Sequence, residues 1–166
     1  MVRFFGSIRI AALLVVAGTL AACTTTEQPV APVTPTQPTS SVKPGTAEDF
    51  RVNVGDTVFF DLDQHTLRAD AQGVLQKQAA WLQKYPAVKL VVEGHCDERG
   101  TREYNLALGD RRAYAVKEYL VSLGIDAARL QSKSYGKERP VCAESDENCW
   151  QQNRRGYSVI LSGAGS

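Results

Sequence analysis

The sequence lacks the excess of positive charge that a nucleic-acid-binding protein needs. Lys and Arg number 19 and Asp and Glu number 18 in 166 residues, so the formal net charge is +1. Arg3 and Arg9 lie in the first 22 residues, which contain no acid, and the rest of the chain has 17 basic against 18 acidic residues, a net charge of −1. Binding to nucleic acid depends on a basic surface. The composition therefore excludes a nucleic-acid partner.

The sequence also has few residues suited to catalysis or to metal binding. It contains two histidines, His65 and His95. His95 precedes Cys96, and adjacent residues of a strand point to opposite faces, so the two do not form a catalytic pair. A zinc site would need further ligands at characteristic spacing. The sequence thus predicts a protein that is not an enzyme and has no metal or cofactor. Cys96 is predicted to be buried, and His95 to make a structural hydrogen bond at the end of a strand.

The first 22 residues have the layout of a secretory signal peptide. Arg3 and Arg9 precede an apolar run over 10–20, and small residues follow it. The run is too short to be a confident membrane span. We therefore expect 1–22 to be removed from the mature protein.

Cys23 follows Leu20-Ala21-Ala22 directly, which resembles a bacterial lipobox. The resemblance implies cleavage before Cys23, lipidation of its thiol and a firm membrane anchor. Thr24, in place of Asp, favours the outer membrane. The alternative is an ordinary signal peptide cut at an Ala-x-Ala-like site, with Cys23 incidental.

Residues 23–46 are predicted to be a lipidated cysteine followed by an extended tether. Between Thr24 and Thr46 lie five of the seven prolines, many Thr residues and almost no charge. Chain of this composition buries no core and remains extended and solvated. We expect it to let a folded module leave the membrane surface.

Residues 47–163 have the periodicities of one α/β domain, an α+β sandwich. Alternating or β-branched runs predict strands, apolar residues at helical spacing predict helices, and the order is β-α-β-α-β-β. Strands separated by helices predict a mixed sheet with the helices packed on one face. The predicted elements are strands at 57–60, 88–94, 129–135 and 156–161 and helices at 68–85 and 101–124.

The second predicted helix begins at Thr101, a favourable N-cap, and closes at Gly124. A stripe of apolar and small residues at three- and four-residue spacing is predicted to face the core. Gly109 and Ala113 would let this helix approach its neighbour closely. The stripe consists of Leu106, Gly109, Ala113, Val116, Leu120 and Leu123.

Charge is concentrated between the second predicted strand and this helix. Asp97, Glu98 and Arg99 stand beside Gly100, and Arg111 and Arg112 follow on the helix. Opposite charges from two elements thus meet at one end of the sheet, which suggests a pocket for a zwitterionic ligand. A purely structural ion-pair network among these side chains is the alternative.

An ordered set of short motifs resembles the OmpA-like peptidoglycan-binding domain family. Together with the lipobox and the tether, the resemblance covers nearly the whole chain. The motifs are Val91-Val92-Glu93-Gly94-His95, Asp97-Glu98-Arg99-Gly100-Thr101, Tyr104-Asn105, Leu108-Gly109, Arg111-Arg112-Ala113, Ser134-Tyr135-Gly136-Lys137-Glu138 and Asn153-Arg154-Arg155.

The resemblance implies a binding site for the meso-diaminopimelate of the peptidoglycan stem peptide. In this reading the Asp97 carboxylate takes the ligand ammonium, and the Arg112 guanidinium takes its carboxylate. Family patterns often have Phe where Leu62 stands. The implied binding residues are Asp97, Arg112, Leu62, Asp63, Thr101, Asn105 and Leu108.

The resemblance also implies partners and a location. The partners are peptidoglycan, TolB and the Tol complex, with the outer membrane reached through the lipid anchor and the domain facing the periplasm. The implied role is to tie the outer membrane to the wall without a covalent bond, and to support envelope integrity and cell division. The alternatives are a lipid-anchored adaptor that binds only envelope proteins, a wall-modifying enzyme and a flagellar stator variant. The lipobox argues against the stator.

Cys142 and Cys149 flank a short polar segment before the last predicted strand. In an oxidising periplasm such a pair is expected to form a disulfide, with two free thiols as the alternative.

Overall fold

The computed structural model describes residues 42–165, and the predicted signal peptide, the predicted lipidation site Cys23 and the tether as far as residue 41 lie outside them. The first element of the described residues is a helical turn α1 that continues as a π-helical turn. A 3₁₀ turn, Ala127–Arg129, precedes the third strand. The elements are α1 Ala47–Asp49 with Phe50–Val54, β1 Thr57–Phe59, α2 Ala69–Lys84, β2 Lys89–His95, α3 Arg102–Ser122, β3 Leu130–Gly136, α4 Glu147–Asn153 and β4 Arg155–Ser162.

The four strands form one mixed sheet in the order β1-β4-β2-β3. β4 pairs antiparallel with both β1 and β2, whereas β2 and β3 are parallel and connected through α3. The prediction of an α+β fold with a mixed sheet is confirmed. β4 is the last strand of the chain, yet it lies in the interior of the sheet, beside the two strands that flank α2.

One face of the sheet and the apolar sides of α2 and α3 form the core. Val58 and Val92 point to this face, and Leu75 and Leu120 meet them from the two helices. Buried and more exposed residues alternate along β2 from Lys89 to Gly94, as expected of a strand that packs on the helices with one face. None of the helices within residues 42–165 is long and apolar enough to cross a membrane.

The predicted close approach of α3 to the sheet occurs at Gly109. A Cβ atom on Gly94 would overlap the carbonyl oxygen of Gly109, so the strand and the helix meet backbone to backbone. The predicted stripe is wrong at Leu106, whose side chain is 51% exposed. Asn105 and Leu108 are buried instead, because the core-facing side of the helix is rotated by one residue at its start.

The folded part extends slightly beyond the predicted 47–163. Thr46 caps α1 through its hydroxyl and forms a β-bridge with Gly165. The turn after Thr46 packs on α2, where Trp81 Nε1 donates to Asp49 Oδ2 at 2.8 Å and the Trp81 ring contacts Phe50. The two ends of the folded part therefore lie side by side.

The segment between β3 and β4 contains a helix, α4, that is missing from the predicted order of elements. α4 begins at the N-cap Asp146, whose carboxylate accepts from Cys149 N at 2.9 Å. A disulfide joins Cys142 to Cys149, with their Cα atoms 5.0 Å apart. The order of elements is thus α-β-α-β-α-β-α-β where β-α-β-α-β-β was predicted, with α1 and α4 as the additional helices.

The face of the sheet opposite α2 and α3 holds a buried histidine. His95 is 2% exposed and stacks on Tyr135 with ring centroids 5.5 Å apart. The expectation of a structural hydrogen bond is wrong, because neither ring nitrogen has a partner among the described residues. Glu93 Oε2 lies 3.6 Å from Nε2, too far for a hydrogen bond. Burial, together with Arg155 and Arg139, lowers the pKa of His95 to about 4.

We expect this histidine to make stability depend on pH. Between pH 6.5, where an ordinary imidazole titrates, and about 4, the unfolded chain binds a proton that the folded chain does not. The free energy of unfolding therefore falls as the pH drops through this window, by up to about 3 kcal/mol. Denaturant unfolding at pH 7 and pH 4.5 should show this loss in the wild type and not in His95→Phe. An equal loss in both would contradict it. His65→Gln, at an exposed histidine, should behave like the wild type.

Candidate functional site

A cleft of about 320 Å³ opens at the end of the sheet where β1 and β2 finish and α3 begins. Three segments form it: the turn after β1, the loop between β2 and α3, and the first three turns of α3. Arg154, the residue before β4, supplies a further side chain. The lining residues are Leu62, Asp63, Cys96, Asp97, Arg99, Gly100, Tyr104, Asn105, Leu108, Arg112 and Arg154.

The loop between β2 and α3 is held in shape by hydrogen bonds to its main chain. Gly100 adopts φ of 87°, a left-handed conformation that favours glycine. The Asn105 amide donates to the carbonyls of Arg99 at 2.7 Å and Thr101 at 3.0 Å. Lys137 Nζ donates to the carbonyl of Glu98 at 2.9 Å and to that of Gly100 at 2.7 Å. These hydrogen bonds hold the main chain of residues 98–101, and with it the position of Asp97 in the cleft.

Arg112 joins three parts of the cleft wall. Its guanidinium donates to the carbonyls of Gln64 at 2.7 Å, His95 at 2.8 Å and Asp61 at 3.1 Å. The side chain has no exposed surface, and burial lowers its pKa below the ordinary value. An arginine nevertheless remains protonated in proteins. Arg112 is therefore a buried cation whose main partners are main-chain oxygens.

Asp97 is buried, and its carboxylate accepts hydrogen bonds from two guanidinium groups. Arg99 donates to it from Nε at 3.1 Å and Nη2 at 2.6 Å, and Arg99 N adds a third bond at 3.1 Å. Arg154 Nη1 donates to Oδ2 at 3.2 Å. Burial on its own raises the pKa of Asp97, but these hydrogen bonds outweigh it and hold the pKa below its usual value. Asp97 is therefore ionised at neutral pH.

The turn after β1 forms the other wall. Asp63 has φ of 59°, an uncommon conformation that aspartate tolerates better than most residues. Its carboxylate accepts a hydrogen bond from the Tyr104 hydroxyl, which raises the pKa of that phenol. Leu62, beside it, is 53% exposed. A carboxylate and an apolar side chain thus stand at the mouth of the cleft.

The structure brings six of the seven sequence-predicted binding residues to this cleft: Leu62, Asp63, Asp97, Asn105, Leu108 and Arg112. The seventh, Thr101, is not among the lining residues. Its hydroxyl accepts from Tyr104 N at 3.2 Å and caps α3. It supports the cleft without lining it.

Three further residues line the cleft, namely Arg99, Tyr104 and Arg154. No binding role was predicted for them from the sequence. Arg99 and Tyr104 stand within the motifs that surround Asp97, so proximity in the sequence could have suggested them. Arg154 lies 57 residues from its partner Asp97. Only the position of β4 between β1 and β2 explains that contact.

The cleft combines three guanidinium groups, from Arg99, Arg112 and Arg154, with two carboxylates, from Asp63 and Asp97. Such a mixture suits a ligand that carries charges of both signs on one end. Across residues 42–165, no group of three His, Cys, Asp or Glu side chains is placed to hold a metal ion.

Comparisons with known proteins agree on one family. The model of the OmpA family matches residues 59–154. A protein of Mesorhizobium japonicum named peptidoglycan-associated lipoprotein is 59% identical over 123 residues, which are 74% of this chain and 73% of that protein. A protein of Agrobacterium fabrum with the same name is 58% identical over 125 residues, covering 75% and 70%. The crystal structure of the peptidoglycan-associated lipoprotein from Burkholderia pseudomallei matches with a TM-score of 0.62 and 42% identity, over 64% of this chain and 90% of that chain.

The geometry predicts that Arg112 contributes to stability as well as to the cleft. In Arg112→Ala, three main-chain carbonyls lose their donor in a buried region, at about 1 kcal/mol or more each. We expect a loss of about 3 kcal/mol in the free energy of unfolding, measured by urea denaturation. Arg111→Ala removes an exposed neighbour on the same helix and should change stability by about 0.5 kcal/mol or less. Equal stabilities of the two variants would contradict this account.

Proposed function

Because this chain belongs to the OmpA family, we propose that its folded domain binds peptidoglycan non-covalently, through the diaminopimelate of the stem peptide. One observation carries the proposal. Asp97 and Arg112, the two residues that the family resemblance assigns to the ligand, line one cleft together. The free end of meso-diaminopimelate has an ammonium and a carboxylate on one carbon. The Asp97 carboxylate suits the first group and a guanidinium suits the second.

The contacts already present at both residues favour weak binding. Asp97 is bonded to Arg99 and Arg154, so a ligand ammonium must share or displace one of them. Arg112 has no exposed surface, so a carboxylate touches it only after a side chain at the mouth of the cleft moves. Leu62 lines that mouth and is 53% exposed, so its side chain has room to move. Many copies facing one polymer would then supply avidity through high effective concentration.

We propose further that the protein is a lipoprotein of the outer membrane, with the domain in the periplasm. The support is the lipobox-like sequence ending at Cys23, the Pro-rich segment that follows it and the names of the relatives. In this arrangement the protein ties the outer membrane to the wall as part of the Tol–Pal system. Envelope integrity and constriction at division are the processes that such a tie serves.

Co-sedimentation with purified sacculi tests the proposal. The full chain in mild detergent should sediment with sacculi, and free meso-diaminopimelate should release it. Asp97→Asn keeps the size of the side chain and removes the charge that would hold the ammonium, so we expect binding to be abolished. Thermal unfolding of the variant would show that the domain is still folded.

Asp110→Asn is the matched control, because it removes an exposed carboxylate from the same helix as Arg112. It should bind sacculi like the wild type. Full binding by a folded Asp97→Asn variant would place the ligand elsewhere. Failure of the folded wild type to bind would instead favour a lipid-anchored adaptor that binds only envelope proteins.

We also propose TolB as a partner that covers the same end of the sheet. The support is the family resemblance and the exposure of two large side chains at the cleft, Leu62 and Tyr104, which a protein partner could bury. We expect excess TolB to release the protein from sacculi, while an equal concentration of albumin does not. Binding of TolB and sacculi at the same time and at full affinity would contradict a shared surface.

A further inference from the structure

The helix α4 contacts the cleft residues from outside, although no residue of α4 lines the cleft. Glu147 Oε1 accepts from Arg154 Nη2 at 2.5 Å, and its other oxygen lies 3.9 Å from Arg99 Nη2. These are the two guanidinium groups that hold Asp97. One carboxylate outside the cleft thus shares both cations with the carboxylate inside it.

Trp150 fixes the second of these cations in place. The Arg99 guanidinium lies over the Trp150 ring, 4.1 Å from its centroid. The indole N–H of Trp150 in turn donates to Glu98 Oε1 at 3.0 Å. Arg99 therefore lies between an aromatic face of α4 and Asp97, with little freedom to turn away.

α4 is attached to the segment that precedes it. The disulfide between Cys142 and Cys149 joins the helix to the middle of that segment. The side chain of Asn153 accepts from Val141 N at 2.8 Å and donates to the carbonyl of Cys142 at 2.7 Å. These contacts hold the backbone of the helix from which Glu147 reaches Arg154.

Glu147 affects how much of the negative charge of Asp97 is available to a ligand ammonium. Arg154 is only 4% exposed, so its charge must be balanced by nearby carboxylates. With Glu147 present, Arg154 divides its hydrogen bonds between two carboxylates, while Arg99 donates to Asp97 and has Glu147 as a nearby opposite charge. Without it, Asp97 would be the one carboxylate paired with Arg154, and the surroundings of the cleft would become more positive by one unit of charge. A ligand ammonium would then meet a more positive cleft, whereas a ligand carboxylate would be favoured.

We propose that Glu147, acting through Arg154 and Arg99, sets the preference of the cleft for a ligand end with an ammonium and a carboxylate over an end with a carboxylate alone. This inference rests on the proposed function. Glu147 is a positioning residue, because it contacts the two arginines and does not line the cleft.

Two small ligands measure this preference. meso-Diaminopimelate has an ammonium beside each carboxylate, and pimelate is the same chain without the amines. Their dissociation constants for the full chain in detergent can be measured by isothermal titration calorimetry or by displacement from sacculi. We expect Glu147→Gln to weaken meso-diaminopimelate relative to pimelate by about threefold, the coupling expected of a partly exposed charge. Glu147 is 59% exposed, so the effect should shrink in high salt.

Glu144→Gln is the matched control, since it removes one exposed carboxylate from the same disulfide-closed segment. It should leave the ratio of the two dissociation constants as in the wild type. Glu147→Asp retains the charge and should keep the ratio closer to the wild type than Glu147→Gln does. A change of equal size in Glu147→Gln and Glu147→Asp would show that charge is not the cause and would overturn the inference.

The same measurements separate this inference from the function on which it rests. If the folded wild type binds neither ligand, the proposed function fails and the inference fails with it. If the wild type prefers meso-diaminopimelate and Glu147→Gln weakens both ligands alike, Glu147 supports only the structure. In that case the proposed function stands and the charge-balancing role is wrong.

Discussion

The buried guanidinium of Arg112 is the constraint on which this end of the domain depends. It cannot lose its proton, and it has no exposed surface through which water could solvate it. Main-chain oxygens must therefore surround it, and they come from the turn after β1 and from the end of β2. The close contact of Gly109 with Gly94 brings α3 near enough for Arg112 to reach both. The shape of the cleft follows from satisfying this one cation.

Most of the helices and strands could be predicted from the sequence, because their apolar residues recur at the spacing of the side that is buried in the fold. The prediction was wrong where the local pattern and the tertiary packing disagree. Leu106 continues an apolar stripe, yet α3 is rotated so that Asn105 is buried and its amide binds the preceding loop. α4 is short and polar, so it has no apolar periodicity from which it could be predicted. Asp146 followed by Glu147 is nevertheless a recognisable helix start. His95 was expected to be bonded, and its burial without a partner depends on tertiary contacts that no local pattern records.

The candidate site divides in the same way. Asp97 and Arg112 stand in one continuous stretch around a single loop, so their place at one end of the sheet could be predicted from local pattern, and the family resemblance assigned them to one ligand. Arg154 could not, because its contact with Asp97 requires the final strand to lie between β1 and β2. The contact of Glu147 with Arg154 is local, since the two lie seven residues apart, and only the order of the strands in the sheet brings this pair to Asp97. The sequence motifs around one loop were thus enough to place Asp97 and Arg112, whereas the contact of Arg154 with Asp97 depends on the topology of the sheet.

The bridge between Thr46 and Gly165 affects the direction in which a pulling force would cross the domain. Gly163, just before Gly165, packs on Ala87, ahead of the start of β2, while the cleft lies beyond the other end of that strand. A pull between the amino-terminal end of the fold and a ligand in the cleft therefore runs along β2 and β4. Their antiparallel ladder, from Lys89 opposite Ser162 to Gly94 opposite Gly156, is loaded in shear. In shear the ladder hydrogen bonds carry the force together, whereas in peeling they would break one after another.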